Sequence, residues 1–222
     1  HRNQATQGEA ISVVSMDYAY MEDQGEDRGM PILVIKDRKT KAIAAHVCPK
    51  KGVMQYVVRA AAKQLQLLGH DKIILKTDNE ASIMDLKRAI IAEKPVTIIP
   101  EEAPVKESQR NGEVENANQA IQRKTRTVRL GVEARYKIKL IRNSLIVPWM
   151  IRCAAEMITQ MAVGKDGRTA WERMKGKRFI GEFAEFREIV WHMKPGMKGR
   201  QKFEPRWESG VWLGIRQESG EA

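Results

Sequence analysis

The sequence predicts an α/β fold, in which helices flank a β-sheet. Short runs rich in β-branched residues recur in the first half of the chain. Segments with the spacing of amphipathic helices separate the later runs, and two longer helical segments follow them. In chain order these elements read βββαβαβ, followed by a loop and further helices, which indicates one α/β core with five strands.

Three candidate strands open the chain. ISVVSMD at 11–17 ends in an acidic residue, and PILVIKD at 31–37 and KAIAAHV at 41–47 follow it. The acidic, glycine-containing stretch 21–29 has no period, so we expect a loop there. Residues 37–41 are predicted to form the turn of a hairpin between the second and third strands.

Helical spacing begins at Gly52. Apolar residues fall on one side of the predicted helix, at Val53, Tyr56, Val57, Ala60, Ala61, Leu65 and Leu68. Gly69 then supplies a stop. A strand at 72–78, a helix at 81–93 and a short strand at 96–100 complete the βαβαβ pattern.

The second half of the chain is predicted to be mainly helical and then β-rich. After the loop 101–112, a long helix begins near Glu113, and a second helix covers 144–162. Glycines and charges then mark a linker, beyond which short strand-like runs follow. We therefore expect a core of residues 1–164 and a small β-rich module of residues 165–222.

Charge and composition restrict the classes of partner. The 222-residue chain carries 39 Lys and Arg against 28 Asp and Glu, a formal charge of +11, which favours a polyanionic partner, either nucleic acid or an anionic membrane surface. No stretch is as long and apolar as a spanning helix, and the N-terminus lacks an apolar signal region, so a membrane role is disfavoured. Cys48 and Cys153 are too few for a disulfide framework, and we expect both in the core. The missing initial Met indicates a fragment.

Three acidic residues stand at the ends of predicted elements. Asp17 ends the first strand, Asp78 ends the fourth, and Glu115 lies early in the helix after the fifth. Reactive groups in α/β sheets gather where strand ends meet helix N-termini, and hard divalent cations need carboxylate ligands. For any one of these acids alone, an ordinary turn or capping role is the favoured explanation. The residues by themselves leave both interpretations open.

The sequence around these acids resembles the three catalytic blocks of retroviral and retrotransposon integrases. The blocks VVSMD, LKTDN and SQRNGEVENAN carry an Asp, an Asp-Asn pair and a Glu in the pattern N-G-x-x-E-x-x-N. The spacing between Asp78 and Glu115 is also similar to that of the family. Glu107 and Glu113 compete for the third position. Glu113 points about 200° away from Glu115 on a helix, and only the N-G-x-x-E register selects Glu115.

The C-terminal part of the chain resembles one particular group of these integrases. KFEPRWESGVWLGI and TAWERMKGKRF are similar to segments that follow the core in copia-type LTR retrotransposon integrases, which are parts of a polyprotein. Glu80 departs from the family pattern, because a small residue usually follows Asp-Asn. We expect Glu80 to add negative charge to the site.

The resemblance implies a ribonuclease-H-like fold, with a mixed five-stranded sheet flanked by helices. It implies that Asp17, Asp78 and Glu115 are the catalytic and metal-binding acids for two Mg²⁺ or Mn²⁺ ions. Asn79 and Asn118 match polar positions beside these acids. The implied activity is that of an integrase, a metal-dependent polynucleotidyl transferase and endonuclease that processes retroelement DNA 3′ ends and joins them to target DNA. The alternatives are a transposase or nuclease, and a catalytically inactive or domesticated DNA-binding module.

The resemblance also implies partners and a location. Expected partners are retroelement and target DNA and further copies of the chain in a homo-oligomer, without a membrane. The expected location is a cytoplasmic particle and then the nucleus, when the protein acts on chromosomes.

A polar to basic stripe on the helix after Glu115 is the predicted DNA contact. Its residues are Gln119, Gln122, Arg123, Lys124, Arg126 and Arg129. The family often has Lys where Gln119 and Gln122 stand. An ordinary solvated helix face explains the stripe equally well.

Histidines and tryptophans indicate no further site. His46, His70 and His192 have no partner at a metal-ligand spacing, so we expect neither a zinc site nor a Ser-His-Asp triad. Most tryptophans are predicted to pack in a core. They are Trp149, Trp171, Trp191, Trp207 and Trp212.

Overall fold

The structure of the chain is a computed structural model that describes residues 11–21, 29–99, 112–141, 144–181, 184–193 and 205–215. The strands in these residues are β1 Ser12–Ala19, β2 Ile32–Asp37, β3 Ile43–Val47, β4 Lys72–Lys76, β5 Thr97–Ile99, β6 Ile189–Met193 and β7 Trp207–Val211. The helices are α1 Gln55–Leu67, α2 Ala81–Ala92, α3 Gly112–Tyr136, α4 Val147–Met161 and α5 Ala170–Lys175.

β1 is the central strand of a mixed sheet with the order β3-β2-β1-β4-β5. It pairs antiparallel with β2 and parallel with β4, while β3 and β5 extend the antiparallel and parallel halves. Parallel neighbours need crossover connections, which α1 and α2 supply. The predicted mixed five-stranded sheet flanked by helices is confirmed.

Helices cover both faces of the sheet. Successive side chains of a strand point to opposite faces, so Leu33 and Ile35 of β2 join one core cluster and Ile32 and Val34 join another. The first cluster is completed by apolar residues of α1 and α2, and the second by residues of α3 and α4. Burial on both faces explains why the strands read as nearly continuous apolar runs.

A fully buried carboxylate, Asp37, fixes the turn between β2 and β3. Ser12 Oγ donates to its Oδ1 at 2.6 Å, Thr40 Oγ1 donates to Oδ2 at 2.5 Å, and His70 Nε2 lies 2.9 Å from Oδ2. Burial alone would raise the pKa of Asp37, but these hydrogen bonds outweigh it and hold the pKa below its ordinary value. Ser12, His70 and Asp37 do not form a nucleophilic triad, because Ser12 donates to the Asp37 carboxylate and not to His70.

Two helices begin later than the sequence predicts. α1 begins at Gln55 instead of near Gly52, and it ends before Gly69, whose φ of 73° suits the residue after a helix. α4 begins at Val147 instead of at residue 144, with Pro148 in its first turn, where proline is favoured. In both cases the apolar pattern extends beyond the hydrogen-bonded helix.

The chain after α4 packs against the sheet before it forms a hairpin. α5 begins with a capping box formed by Thr169 and Glu172. Ala170 is buried in the cluster that holds α1 and α2. β6 and β7 pair antiparallel, and Phe186 and Leu213 beside them pack with α3 and α4. The predicted strands of the tail are present, and its status as a separate module stays a prediction.

The expectation that most tryptophans are in a core is wrong for three of them. Trp149, Trp191 and Trp207 are 48%, 69% and 54% exposed. Trp191 and Trp207 lie on a two-stranded hairpin, and nothing in the described residues covers their face of it. Cys48 and Cys153 are buried and free, as predicted. None of the described helices has the length and apolar character needed to cross a membrane.

Candidate active site

Asp17 lies in β1, half-buried beneath the first turns of α3. Its Oδ1 accepts a hydrogen bond from the Tyr18 N–H at 2.7 Å, and its Oδ2 accepts one from Asn118 Nδ2 at 3.3 Å. The apolar side of α3, which includes Ala117 and Ile121, is buried against the sheet. This packing places Asn118 over the strand, so the helix register orients the carboxylate.

Asp78 lies beside Asp17 because β1 and β4 are parallel neighbours. Ser15 pairs with Lys76 at the end of the ladder, and each acid follows two residues later on its own segment. Burial raises the pKa of Asp17, and repulsion from Asp78 raises it further. Hydrogen bonds from Tyr18 and Asn118 act in the opposite direction but do not cancel the effect. The two carboxylates are therefore electrostatically coupled.

The two glutamates at the start of α3 differ in their contacts. Glu113 forms ion pairs with Arg38, 2.8 Å from Nε, and with Lys41, 3.6 Å from Nζ, at the β2–β3 turn. These contacts hold the pKa of Glu113 below its ordinary value despite its partial burial. Glu115 is exposed. The third candidate, Glu107, lies outside the described residues.

The structure brings two of the three predicted acids together. Within the residues it describes, no group of three His, Cys, Asp or Glu side chains is arranged to hold a metal ion. The assignment of Glu115 to the site therefore stays a prediction. Asn79 is exposed and follows Asp78 directly, and Asn118 reaches Asp17 as the helical spacing implies.

The residues around Asp17 fit a hard divalent cation. The buried Oδ1 of Asn118 has no hydrogen-bond partner among the described residues, although such an atom normally finds one. This oxygen belongs to the residue that contacts Asp17, and both burial and the charge of Asp78 disfavour the ionised form of Asp17. Carboxylate and amide oxygens are the ligands that Mg²⁺ and Mn²⁺ prefer. A cation would relieve the repulsion between Asp17 and Asp78.

Lys51 lies near the site, although its position in the sequence gives no sign of this. Its Nζ lies 2.6 Å from Glu80 Oε2 and over the rings of Tyr18 and Tyr20, 5.4 Å and 5.5 Å from their centroids. Its charge acts on Asp17, whose pKa it lowers. Glu80 was expected to add negative charge to the site, but it is paired with Lys51. No local pattern in the sequence signals this contact.

The predicted DNA stripe on α3 divides into engaged and exposed residues. Gln122 donates to the Tyr20 carbonyl at 2.8 Å, and Arg129 binds both Glu133 and the Leu140 carbonyl at 2.9 Å. Lys124 is half-buried. Three residues of the stripe are exposed to solvent: Gln119, Arg123 and Arg126. The Nε of Arg126 donates to the Gln122 carbonyl at 3.3 Å.

The sequence matches no protein-family model and no curated protein sequence. The structure is similar to two forms of the HTLV-2 integrase catalytic core domain in complex with magnesium, each at 16% sequence identity over 73% of this chain. The trimeric form has a TM-score of 0.51 and is covered to 95%, and the dimeric form has a TM-score of 0.50 and is covered to 94%. The catalytic core domain of BIV integrase, also 16% identical, has a TM-score of 0.46, with 73% of this chain and 92% of that domain covered. The similarity to the HTLV-2 domain shows that this chain has the ribonuclease-H-like fold of retroviral integrase cores.

Proposed function

We propose that this chain is the catalytic core of an integrase, a metal-dependent polynucleotidyl transferase that trims retroelement DNA 3′ ends and joins them to target DNA. The placement of Asp17 beside Asp78, near the carboxyl ends of the parallel strands β1 and β4, carries the proposal. The fold supports it, because the HTLV-2 domain with the same fold was solved with magnesium.

Asp17, Asp78 and Glu115 are the residues that would hold the metal. When bound there, two Mg²⁺ or Mn²⁺ ions supply an activated oxygen nucleophile and neutralise charge at the leaving oxygen during in-line phosphoryl transfer. Asn118 orients the Asp17 carboxylate. Glu115 lies on the first turn of α3, where the helix can present it toward the same edge of the sheet.

The nucleic-acid substrate is favoured by charge. The chain carries a formal charge of +11. Arg123 and Arg126 are exposed on α3, the helix whose first turn carries Glu115. Phosphate contacts of this kind bind DNA without reading its sequence. This supports a substrate held by its backbone across the end of the sheet.

The narrower assignment belongs to the same proposal. A copia-type LTR retrotransposon polyprotein is the source that the C-terminal sequence segments favour. The protein would then act as a homo-oligomer, first in a cytoplasmic particle and later on chromosomes in the nucleus.

The test is cleavage and joining of a labelled retroelement-end duplex by the purified chain with Mn²⁺. Asp78→Asn and Glu115→Gln should lower both rates on the order of a hundredfold or more, because each removes a charged metal ligand. DNA binding should stay close to that of the wild type, since basic residues provide the phosphate contacts.

Glu113→Gln is the matched control for Glu115→Gln. Glu113 is committed to Arg38 and Lys41, so its loss should leave cleavage intact. Loss of activity in Glu113→Gln and its retention in Glu115→Gln would show that the assigned helix register is wrong. Cleavage without joining would indicate a nuclease. DNA binding by the wild type without metal-dependent cleavage would indicate an inactive DNA-binding module.

A further inference from the structure

Lys51 supplies a positive charge next to the paired acids. It follows β3, and its charge counteracts the unfavourable ionisation of Asp17. On α3, Gln119 and Gln122 are uncharged, and Gln122 donates to the Tyr20 carbonyl.

The ammonium group of Lys51 is held in place from several sides. Tyr18 and Tyr20 present their rings to it at cation–π distances. Glu80 Oε2 accepts a hydrogen bond from Lys51 Nζ at 2.6 Å. The flexible lysine side chain is thus restricted before any ligand arrives.

Glu80 is in turn fixed to the segment that carries Asp78. The Glu80 N–H donates to Asp78 Oδ1 at 3.1 Å, and Ser82 Oγ donates to Glu80 Oε1 at 2.5 Å. One short segment therefore provides both an acid of the site and the partner of Lys51. The position of the Lys51 ammonium group is therefore linked to the position of Asp78.

We propose that Lys51 binds a phosphate of the nucleic-acid strand that lies over Asp17 and Asp78, and that Glu80 and the two tyrosine rings hold its ammonium group in position. The inference rests on the proposed function for its substrate class. A lysine ammonium has three donors, and the hydrogen bond to Glu80 Oε2 uses one of them. The Lys51 side chain is 30% exposed, so a phosphate oxygen can reach it.

A phosphate contact and a purely structural ion pair predict different results. The structural pair joins two partly exposed side chains, and such pairs contribute little to stability. A phosphate contact releases counterions, so its removal flattens the dependence of log affinity on log salt by about 0.9. Salt-dependent DNA binding therefore separates the two roles.

The experiment compares Lys51→Ala, Lys51→Arg and the neighbouring control Lys50→Ala in the full chain. Binding of a short labelled duplex is measured across a salt series in EDTA, together with the melting temperature. Lys51→Ala should lose about one unit of slope, while Lys51→Arg and Lys50→Ala should keep the wild-type slope. Glu80→Gln should change the affinity less than Lys51→Ala, because it loosens the ammonium but also removes a negative charge from near the phosphate.

The position of the phosphate is tested by combining variants. Asp17→Asn should tighten metal-free DNA binding, because it removes a negative charge from beside the phosphate. If Lys51 contacts the same phosphate, the effects of Asp17→Asn and Lys51→Ala will not add in the double variant. Additive effects would place the Lys51 contact elsewhere and overturn the inference.

The slope of log DNA affinity against log salt concentration is measured in EDTA, so it does not depend on catalytic turnover. Equal slopes for Lys51→Ala and Lys50→Ala, whatever the melting temperature of Lys51→Ala, would show a structural ion pair and overturn the inference. If the wild type binds DNA but never cleaves it, the proposed function fails while the slope still decides the role of Lys51. If the chain cleaves, Lys51→Ala should also lower kcat/KM about tenfold or more, whereas Lys50→Ala should not.

Discussion

Asp17 is the residue at which the needs of folding and of the proposed chemistry conflict. Burial in β1 and the neighbouring charge of Asp78 both raise its pKa, so the ionised form is unfavourable where it stands. Two hydrogen bonds, from Tyr18 and Asn118, offset only part of this. Acids kept in such positions are typical of functional sites.

The variant Asp17→Asn should stabilise the chain when no metal is present. A raised pKa means that ionisation of Asp17 opposes folding. This effect is absent below the ordinary carboxyl value of 3.8 and complete above the raised value. We expect the melting temperature in EDTA at neutral pH to rise by a few degrees, on a scale of about 2–4 °C per kcal/mol for a domain of this size. The rise should disappear under acidic conditions.

The hydrogen bond to Asn118 need not be lost in this variant. If the Asn118 amide flips, its unpaired Oδ1 can accept a hydrogen bond from the amide group introduced at position 17. The stabilisation that Mn²⁺ gives the wild type should be strongly reduced, because a charged ligand is missing. An unchanged or lower melting temperature at neutral pH without metal would contradict the assigned electrostatics.

At the same scale, the sequence predicts only part of the site. Asp17 and Asp78 are predictable because each lies near the carboxyl end of a strand, within a short, recognisable block. The contact of Lys51 with Glu80 joins segments 29 residues apart, and no periodicity or spacing encodes it. Asn118 contacts Asp17 although 101 residues separate them in the sequence. This contact is predictable only because the sequence around Asn118 resembles a family whose site is known.

At the scale of elements, α3 combines three tasks in one helix. Ala117 and Ile121 pack on the sheet, Asn118 reaches Asp17, and Arg126 faces solvent. The sequence predicts the helix and its basic face from periodicity. It does not predict which basic residues are free to bind DNA, because that depends on contacts with other segments.

Arg123→Ala with Arg126→Ala should weaken DNA binding and flatten its salt dependence by about two units, since each exposed arginine is expected to neutralise one phosphate. Arg129→Ala is the contrasting variant. Arg129 is bound to Glu133 and to the Leu140 carbonyl, so its loss should lower the melting temperature and leave the slope nearly unchanged. Wild-type slopes in the double variant would mean that this face is only solvated.

At the scale of the whole molecule, the end of the core is the least predictable feature. Glycines and charges after residue 164 suggest a flexible linker. In the structure this stretch is a tight turn, in which Val163 bridges to Thr169 and Gly167 has a φ of 75°. Turn-forming residues mark a change of direction equally well, so composition alone does not distinguish a turn from a domain boundary.

Truncation tests where the core ends. A chain of residues 1–164 should melt well below a chain of residues 1–181, because the shorter chain lacks Ala170, which is 4% exposed in the main core, and the adjoining Met174. It also lacks Arg173, whose guanidinium donates to the Thr40 carbonyl at 3.1 Å and forms an ion pair with Asp166.

A point variant tests the same packing without removing any chain. Arg173→Ala in the full chain should lower the melting temperature by a few degrees, because it breaks the link between α5 and the β2–β3 turn. The exposed Lys177→Ala is the control and should melt like the wild type. If the chains 1–164 and 1–181 melt at the same temperature and Arg173→Ala has no effect, α5 is not part of the core. The boundary at residue 164 would then be supported, because residues 165–181 would contribute nothing to the cooperative unfolding of the sheet.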